Sequence, residues 1–171
     1  MDDDERFPDD YLERSMNLRF TYREEIGQDF VMTPMLMYRK TGKIQNQGFK
    51  YFSYRFSRPI PQDLKGKKRD YIQMYSGNSL LAPAEIFKEN PFDEKIDFVY
   101  EDLDFTYNIH RSGIPIIVLK DLEIYHMERD KTLLEQARVG YEMQAYKKFK
   151  HRVIFVRKYG NLKQRMQFCL L

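Results

Sequence analysis

The chain has 171 residues, of which 42% are hydrophobic and 15% aromatic, enough for one domain with a sizeable core and short for two. Its 32% charged residues and mean hydropathy of -0.69 exclude a central membrane span, and a single cysteine, Cys169, excludes an internal disulfide or an all-cysteine metal site. The net charge of +3 is too small to imply nucleic acid by itself, but it is unevenly spread: residues 2–14 hold seven acidic and two basic side chains, residues 147–165 eight basic and no acidic ones.

A tail of that kind suits an anionic membrane surface or an acidic partner, or forms a solvated helix face. No cleavable signal is visible, since the first residues are acidic, and the lone cysteine fits a reducing, cytoplasmic compartment.

In chain order, the acidic opening gives way at Pro8 and Asp9 to a helix reaching about residue 23, with Leu12, Met16 and Phe20 on its expected inner stripe. Residues 30–38 read as a strand and Thr41-Gly42 as a turn. In residues 49–57, Phe52, Tyr54 and Phe56 alternate with polar residues, the pattern of a half-buried strand and a candidate hairpin arm. Residues 58–70, with Pro59, Pro61, Gly66 and the basic Lys65, Lys67, Lys68 and Arg69, read as a loop. Short strands are expected at 71–75 and 79–82, and a short helix from Pro83 to about Asn90.

The densest chemistry lies in Glu101, Asp102 and Asp104, three carboxylates opening a helix whose inward residues are Leu103, Phe105 and Ile109 and whose left-handed stop is Gly113. The free N–H groups of a first helical turn favour negative charge, so Glu101 and Asp102 can stay ionised to accept a proton or meet a cation; a solvated acidic cap is the plainer use of the same residues. Residues 115–119 and 122–125 read as two short strands, the second ending at His126. Residues 130–150 read as a helix with Leu134, Ala137, Tyr141, Ala145 and Phe149 on one stripe. A last helical stretch carries Phe155, Tyr159, Leu162, Met166 and Leu170 opposite its basic residues, with a break at Gly160-Asn161.

The ordered set Asp2-Asp3-Asp4, Gly77-Asn78, Phe92-Asp93-Glu94, Glu101-Asp102-Leu103-Asp104 and His126 resembles the inverting family 2 glycosyltransferases of the GT-A fold, with their Asp-x-Asp, G-N, F-D-E, E-D-x-D and later His. The resemblance implies an α/β fold, a partial Rossmann-like GT-A domain with a mixed sheet flanked by helices over residues 1–150, followed by a basic amphipathic segment, 151–171. It begins at the Asp-x-Asp, so the nucleotide-binding half expected before it is absent and the isolated chain is expected to be inactive. It implies transfer of a sugar from a nucleotide-diphosphate donor to a hydroxyl of a glycan or lipid-linked acceptor, with Asp102 as base. It further implies Asp4 and His126 as ligands of Mn²⁺ or Mg²⁺, and Asp2, Asp3, Gly77, Asn78 and Glu101 in substrate binding. Expected partners exclude nucleic acid and include peripheral contact of the C-terminal segment with the inner face of the membrane and a second copy of the chain. The competing reading is a non-enzymatic interaction module whose basic tail binds an acidic partner or membrane surface. A nucleic-acid binder using the Lys65 to Arg69 cluster ranks below both, because 26 acidic residues offset the basic ones.

Overall fold

The computed structural model describes residues 5–55, 58–76, 79–96, 100–126 and 141–169, with 141–144 described by their backbone. The architecture is mixed α/β. In chain order it runs β1 (Glu5–Arg6), α1 (Tyr11–Ile26), β2 (Val31–Tyr38), β3 (Ile44–Asn46), β4 (Phe49–Ser53), β5 (Arg58–Pro61), β6 (Arg69–Ile72), α2 (Ala84–Glu89), α3 (Glu101–Arg111), β7 (Ile116–His126), α4 (Tyr141–Tyr159) and α5 (Leu162–Cys169).

The centre is the parallel pair of β2 and β7, in register from Val31 beside Ile116 to Tyr38 beside His126. β7 opens on the unbroken apolar run Ile116 to Leu119 and β2 on a run interrupted only by Thr33, as suits strands covered on both faces, and the first four residues of each are buried. Successive side chains point to opposite faces. Val31, Met35, Ile116 and Val118 pack with Phe105 and Ile109 of α3 and Ile86 of α2, whereas Met32, Ile117 and Leu119 pack with Phe30 and Leu122 under α1. A third cluster joins Phe155 and Val156 of α4 to Leu103, Tyr100, Phe52 and Met74.

At Pro34 the register of the pair jumps. Pro34 faces Leu119, but the next residue, Met35, faces Glu123. Proline has no N–H to give the ladder, and the irregularity in β7 falls at the same point. There β7 also changes outer neighbour: Ile116 to Leu119 pair antiparallel with β6, Tyr125 and His126 with β1. The two short strands expected at 115–119 and 122–125 are therefore one strand with a break.

Several other expectations change. Leu12, Met16 and Phe20 are 71%, 44% and 62% exposed, and α1 turns Tyr11, Leu18, Tyr22 and Ile26 inward instead. Ser15, fully buried, is small enough for close approach to the sheet, and its hydroxyl donates to the Tyr11 carbonyl (2.6 Å). The alternating strand ends at Ser53 because Tyr54 and Arg55 turn, and residues 58–70 are not all loop: β5 pairs with β4 as a two-stranded sheet, whose edge tolerates Pro59 and Pro61. The strand expected at 71–75 lies at Arg69–Ile72, and that at 79–82 shrinks to one bridge between Leu81 and Met32. Leu103, Phe105 and Ile109 do face inward, and Gly113 stands at φ +84 after α3. The start of the helix expected at 130–150, with Leu134 and Ala137, lies outside the described residues, as do Phe56 and Leu170; α4 runs unbroken past residue 150 to Tyr159. Leu162 and Met166 are exposed.

Gly48 sits at φ +80, its N–H held by Asn46 Oδ1 (2.8 Å), and a Cβ there would lie 2.5 Å from Cδ1 of the buried Ile72. Gly48→Ala is expected to lower stability by about 1–3 kcal/mol, from left-handed backbone strain and displacement of Ile72. Urea unfolding measures this; an unchanged midpoint would contradict it.

Candidate functional site

The first turn of α3 carries Glu101, Asp102 and Asp104 behind Tyr100, which makes no side-chain cap. The turn's unbonded N–H groups therefore meet acidic side chains on the turn itself. The three carboxylates divide by exposure. Asp104 is 2% exposed, whereas Glu101 and Asp102 are only partly buried.

Asp104 is committed to structure. Lys158 of α4 donates to Asp104 Oδ2 (2.8 Å) and to Asp93 Oδ2 (2.9 Å), tying the Phe92-Asp93-Glu94 segment to α3. Phe92 stacks on Phe105 beside this bridge, with ring centroids 4.0 Å apart. Burial pushes the Asp104 carboxyl up, with Lys158 opposing it, while the Lys158 hydrogen bond pulls Asp93 below the usual carboxylate range. The cation beside Asp104 is thus Lys158 of α4.

Asp102 is held through its backbone. The Thr106 hydroxyl donates to the Asp102 carbonyl (2.7 Å) and accepts the N–H of Tyr75 (3.0 Å), which fixes the Tyr75 segment against α3. Tyr75 is fully buried, and its phenol donates to the Pro34 carbonyl (3.0 Å) at the break in the sheet. Burial raises the Tyr75 phenol, and the charges of Tyr11, Glu5 and Asp102 raise it further. Tyr11 is itself pushed up to about 12 by burial.

Glu5, 4% exposed, is the cross-strand neighbour of His126. His126 ends β7 beside Tyr38, the last residue of β2, with ring centroids 6.4 Å apart. Both parallel strands thus finish at one place, and in open α/β sheets the crevice outside the carboxyl ends of the strands is where ligands bind. Asp102 connects through Thr106 and Tyr75 to Pro34, in the middle of β2, while His126 stands at the strand end beside Glu5.

Asp2, Asp3, Asp4, Gly77 and Asn78 lie outside the described residues. Among the described residues no three His, Cys, Asp or Glu side chains gather as metal ligands. The Glu101 Oε2 atom is buried and meets no hydrogen-bond donor among the described residues. Tyr75, Lys158 and Glu5 were not singled out by the sequence. Tyr75 had a signal in its place two residues before Gly77-Asn78, whereas Lys158 was one of several basic residues opposite the apolar stripe and Glu5 was hidden in the acidic run. No protein-family model matches the chain, and no curated protein does.

Lys158→Met is expected to let the Asp93 carboxyl return toward the ordinary range and to push Asp104 further up, both readable by carboxyl NMR titration. Asp93, depressed in the folded state, contributes stability above its unfolded value and loses it as pH falls through its folded value. Asp104, raised by burial, costs stability as pH rises through its folded value. The variant's deficit, about 3 kcal/mol, is therefore largest near neutral pH and shrinks toward acid, where both carboxyls are protonated. Lys158→Met with Asp104→Asn should recover part of it.

Proposed function

We propose that this chain is part of an inverting glycosyltransferase of GT-A type, in which Asp102 takes the proton of an acceptor hydroxyl as the sugar leaves a nucleoside diphosphate. The observation that carries the reading is the partition of the α3 carboxylates: Asp104 is buried on Lys158, whereas Asp102 is partly exposed and its backbone is anchored through Thr106 and Tyr75 to Pro34 at the break in β2. A base must be reachable and fixed, and Asp102 is both. In the reaction the acceptor oxygen bonds to the anomeric carbon, the bond to the diphosphate oxygen breaks, and the hydroxyl proton passes to Asp102. Glu101, one residue earlier, is placed to orient the sugar.

On this reading Asp4, next in sequence to Glu5, and His126 would supply an oxygen and an imidazole donor to Mn²⁺ or Mg²⁺. Such an ion supplies charge neutralisation to the departing diphosphate. Asp2 and Asp3 belong with it on the donor side, with Gly77 and Asn78 near the sugar.

Two measurements test this. Mn²⁺ added to the ¹⁵N-labelled chain should broaden resonances around His126, Tyr125 and Glu5, and His126→Ala should abolish the effect; broadening centred elsewhere would remove the metal assignment. In a chain competent to bind donor, Asp102→Asn should lower turnover by ~10²-fold or more while donor affinity holds, because it removes proton acceptance and little else. Lost affinity with unchanged turnover per bound donor would mean another group is the base.

A second reading, that the C-terminal helices bind an anionic membrane surface, draws on one observation: Tyr146, Phe149, Leu162 and Met166 are exposed on α4 and α5 among Lys148, Lys150, Lys163 and Arg165. Phe149 and Phe168 stack at 6.3 Å, which places part of the two helices side by side. No described helix is long and apolar enough to cross a membrane. Sedimentation with phosphatidylserine vesicles, weakened by salt and by Phe149→Ser with Met166→Ser, is the expected result; equal binding to neutral vesicles would count against it.

A further inference from the structure

A cavity of about 340 Å³ opens beside the carboxyl-terminal half of β2, on the side away from β7, between the turn that follows β3 and Ser76. That volume falls within the range of small-ligand sites. Among the described residues its lining holds no charged side chain. Gln45, Gln47 and the Ser76 hydroxyl supply donors and acceptors, and Leu36, Phe49 and Pro61 supply apolar surface. Phosphate, nucleotide or carboxylate ligands would find no cation there. Amides and a hydroxyl around an aromatic ring and a proline instead match a neutral polyol, whose hydroxyls need both donors and acceptors and whose C–H faces need apolar cover.

Two features make this more than a surface dent. Asn46, in the middle of the turn, is pinned: its amide nitrogen donates to Ser76 and its Oδ1 accepts from the Gly48 N–H at 2.8 Å, so the turn is held before any ligand arrives. Gln47 Oε1 is buried and meets no donor among the described residues. A buried acceptor left in this way costs free energy that a ligand hydroxyl would recover.

The groove is also tied to Asp102. Ser76 follows Tyr75, whose N–H is clamped by Thr106, and Thr106 bonds the carbonyl of Asp102. Across β2 from the groove, Tyr38 faces His126. Groove and histidine thus flank the end of one strand.

We propose that this groove is the acceptor subsite and that it takes a neutral saccharide, a proposal that rests on the transferase reading above. Gln47 receives a sugar hydroxyl, Phe49 and Pro61 cover the ring's C–H face, and the attacking hydroxyl points along the Ser76–Tyr75 segment toward Asp102. A neutral ligand here keeps the acceptor distinct from the anionic donor, which would meet the ion on the far side of β2.

The test uses the ¹⁵N-labelled chain with methyl glycosides of neutral hexoses at millimolar concentration, observed by NMR. Shifts confined to Gln45, Gln47, Gly48 and Ser76, including the Gln47 side-chain amide, are expected. Gln47→Leu should weaken binding about tenfold, the loss of one buried hydrogen bond. Gln45→Ala, at an exposed position, should weaken it less and leave the fold untouched. Absent shifts, shifts elsewhere, or preference for a sugar phosphate would overturn the assignment. The Mn²⁺ titration on the same sample separates the two ideas. Mn²⁺ broadening at His126 without glycoside binding removes the groove assignment and keeps the transferase reading. Glycoside binding in the groove without broadening at His126 keeps a saccharide site and removes the donor-metal half of the transferase reading.

Discussion

A proline in the middle of the central strand is the constraint on which the arrangement depends. Pro34 can donate nothing to a neighbour, and the ladder between β2 and β7 breaks where it stands. A break in a buried sheet leaves a carbonyl to satisfy, and Tyr75 satisfies it with a phenol whose ring is itself part of the core. Because the Tyr75 N–H is held by Thr106, the same residue that closes the break ties α3 to β2. Beyond the break β7 resumes with a new neighbour, β1, and brings Glu5 beside His126. The defect thus fixes the relation between the acidic helix and the end of the sheet.

Three carboxylates within one helical turn cannot all serve the same end. Their mutual repulsion and the cost of burying charge require that one be paired, and Asp104 is paired with Lys158. That lysine stands on α4, whose Phe155 and Val156 fill the cluster beneath Tyr100 and Leu103. Apolar packing therefore carries the cation to its place, and the cation in turn gathers Asp93. Part of the basic excess in the C-terminal segment is accounted for internally, and the charge that stays outside lies on Lys148, Lys150, Lys163 and Arg165.

Much of the fold could be read in the residues, and the failures have physical causes. Residues 30–38 and 115–119 were legible as strands because apolar runs of that length, flanked by Gly and Pro, admit little else. The inward face of α3 was legible because Leu103, Phe105 and Ile109 leave a single apolar stripe. The inner face of α1 was misread because two stripes satisfy helical spacing there, and the one that won contains two tyrosines and Ser15, whose hydroxyl is satisfied within the helix by the Tyr11 carbonyl. Strand β5 was missed because Pro59 and Pro61 signal a loop unless the strand is an edge, which local sequence does not reveal. At the site, the carboxylates and His126 were visible as residue types, but Tyr75, Lys158 and Gln47 take their roles from partners 31 to 54 positions away or from a turn's packing.

The hydrogen bonds at the site are mostly to backbone. Thr106 bonds the carbonyl of Asp102, Tyr75 that of Pro34, and Asn46 that of Ser76, so the side chains that do the fixing act on the main chain. Backbone anchors suit a site whose chemistry lies in a few side chains: they set position through the main chain, where substitution of the reactive group does not disturb them. A chain that only stacked helices on a sheet would have no reason to clamp a turn of three amides and a first-turn aspartate to the same two-residue segment, Tyr75 and Ser76. That both converge there is the physical argument for treating the helix and the groove as one site.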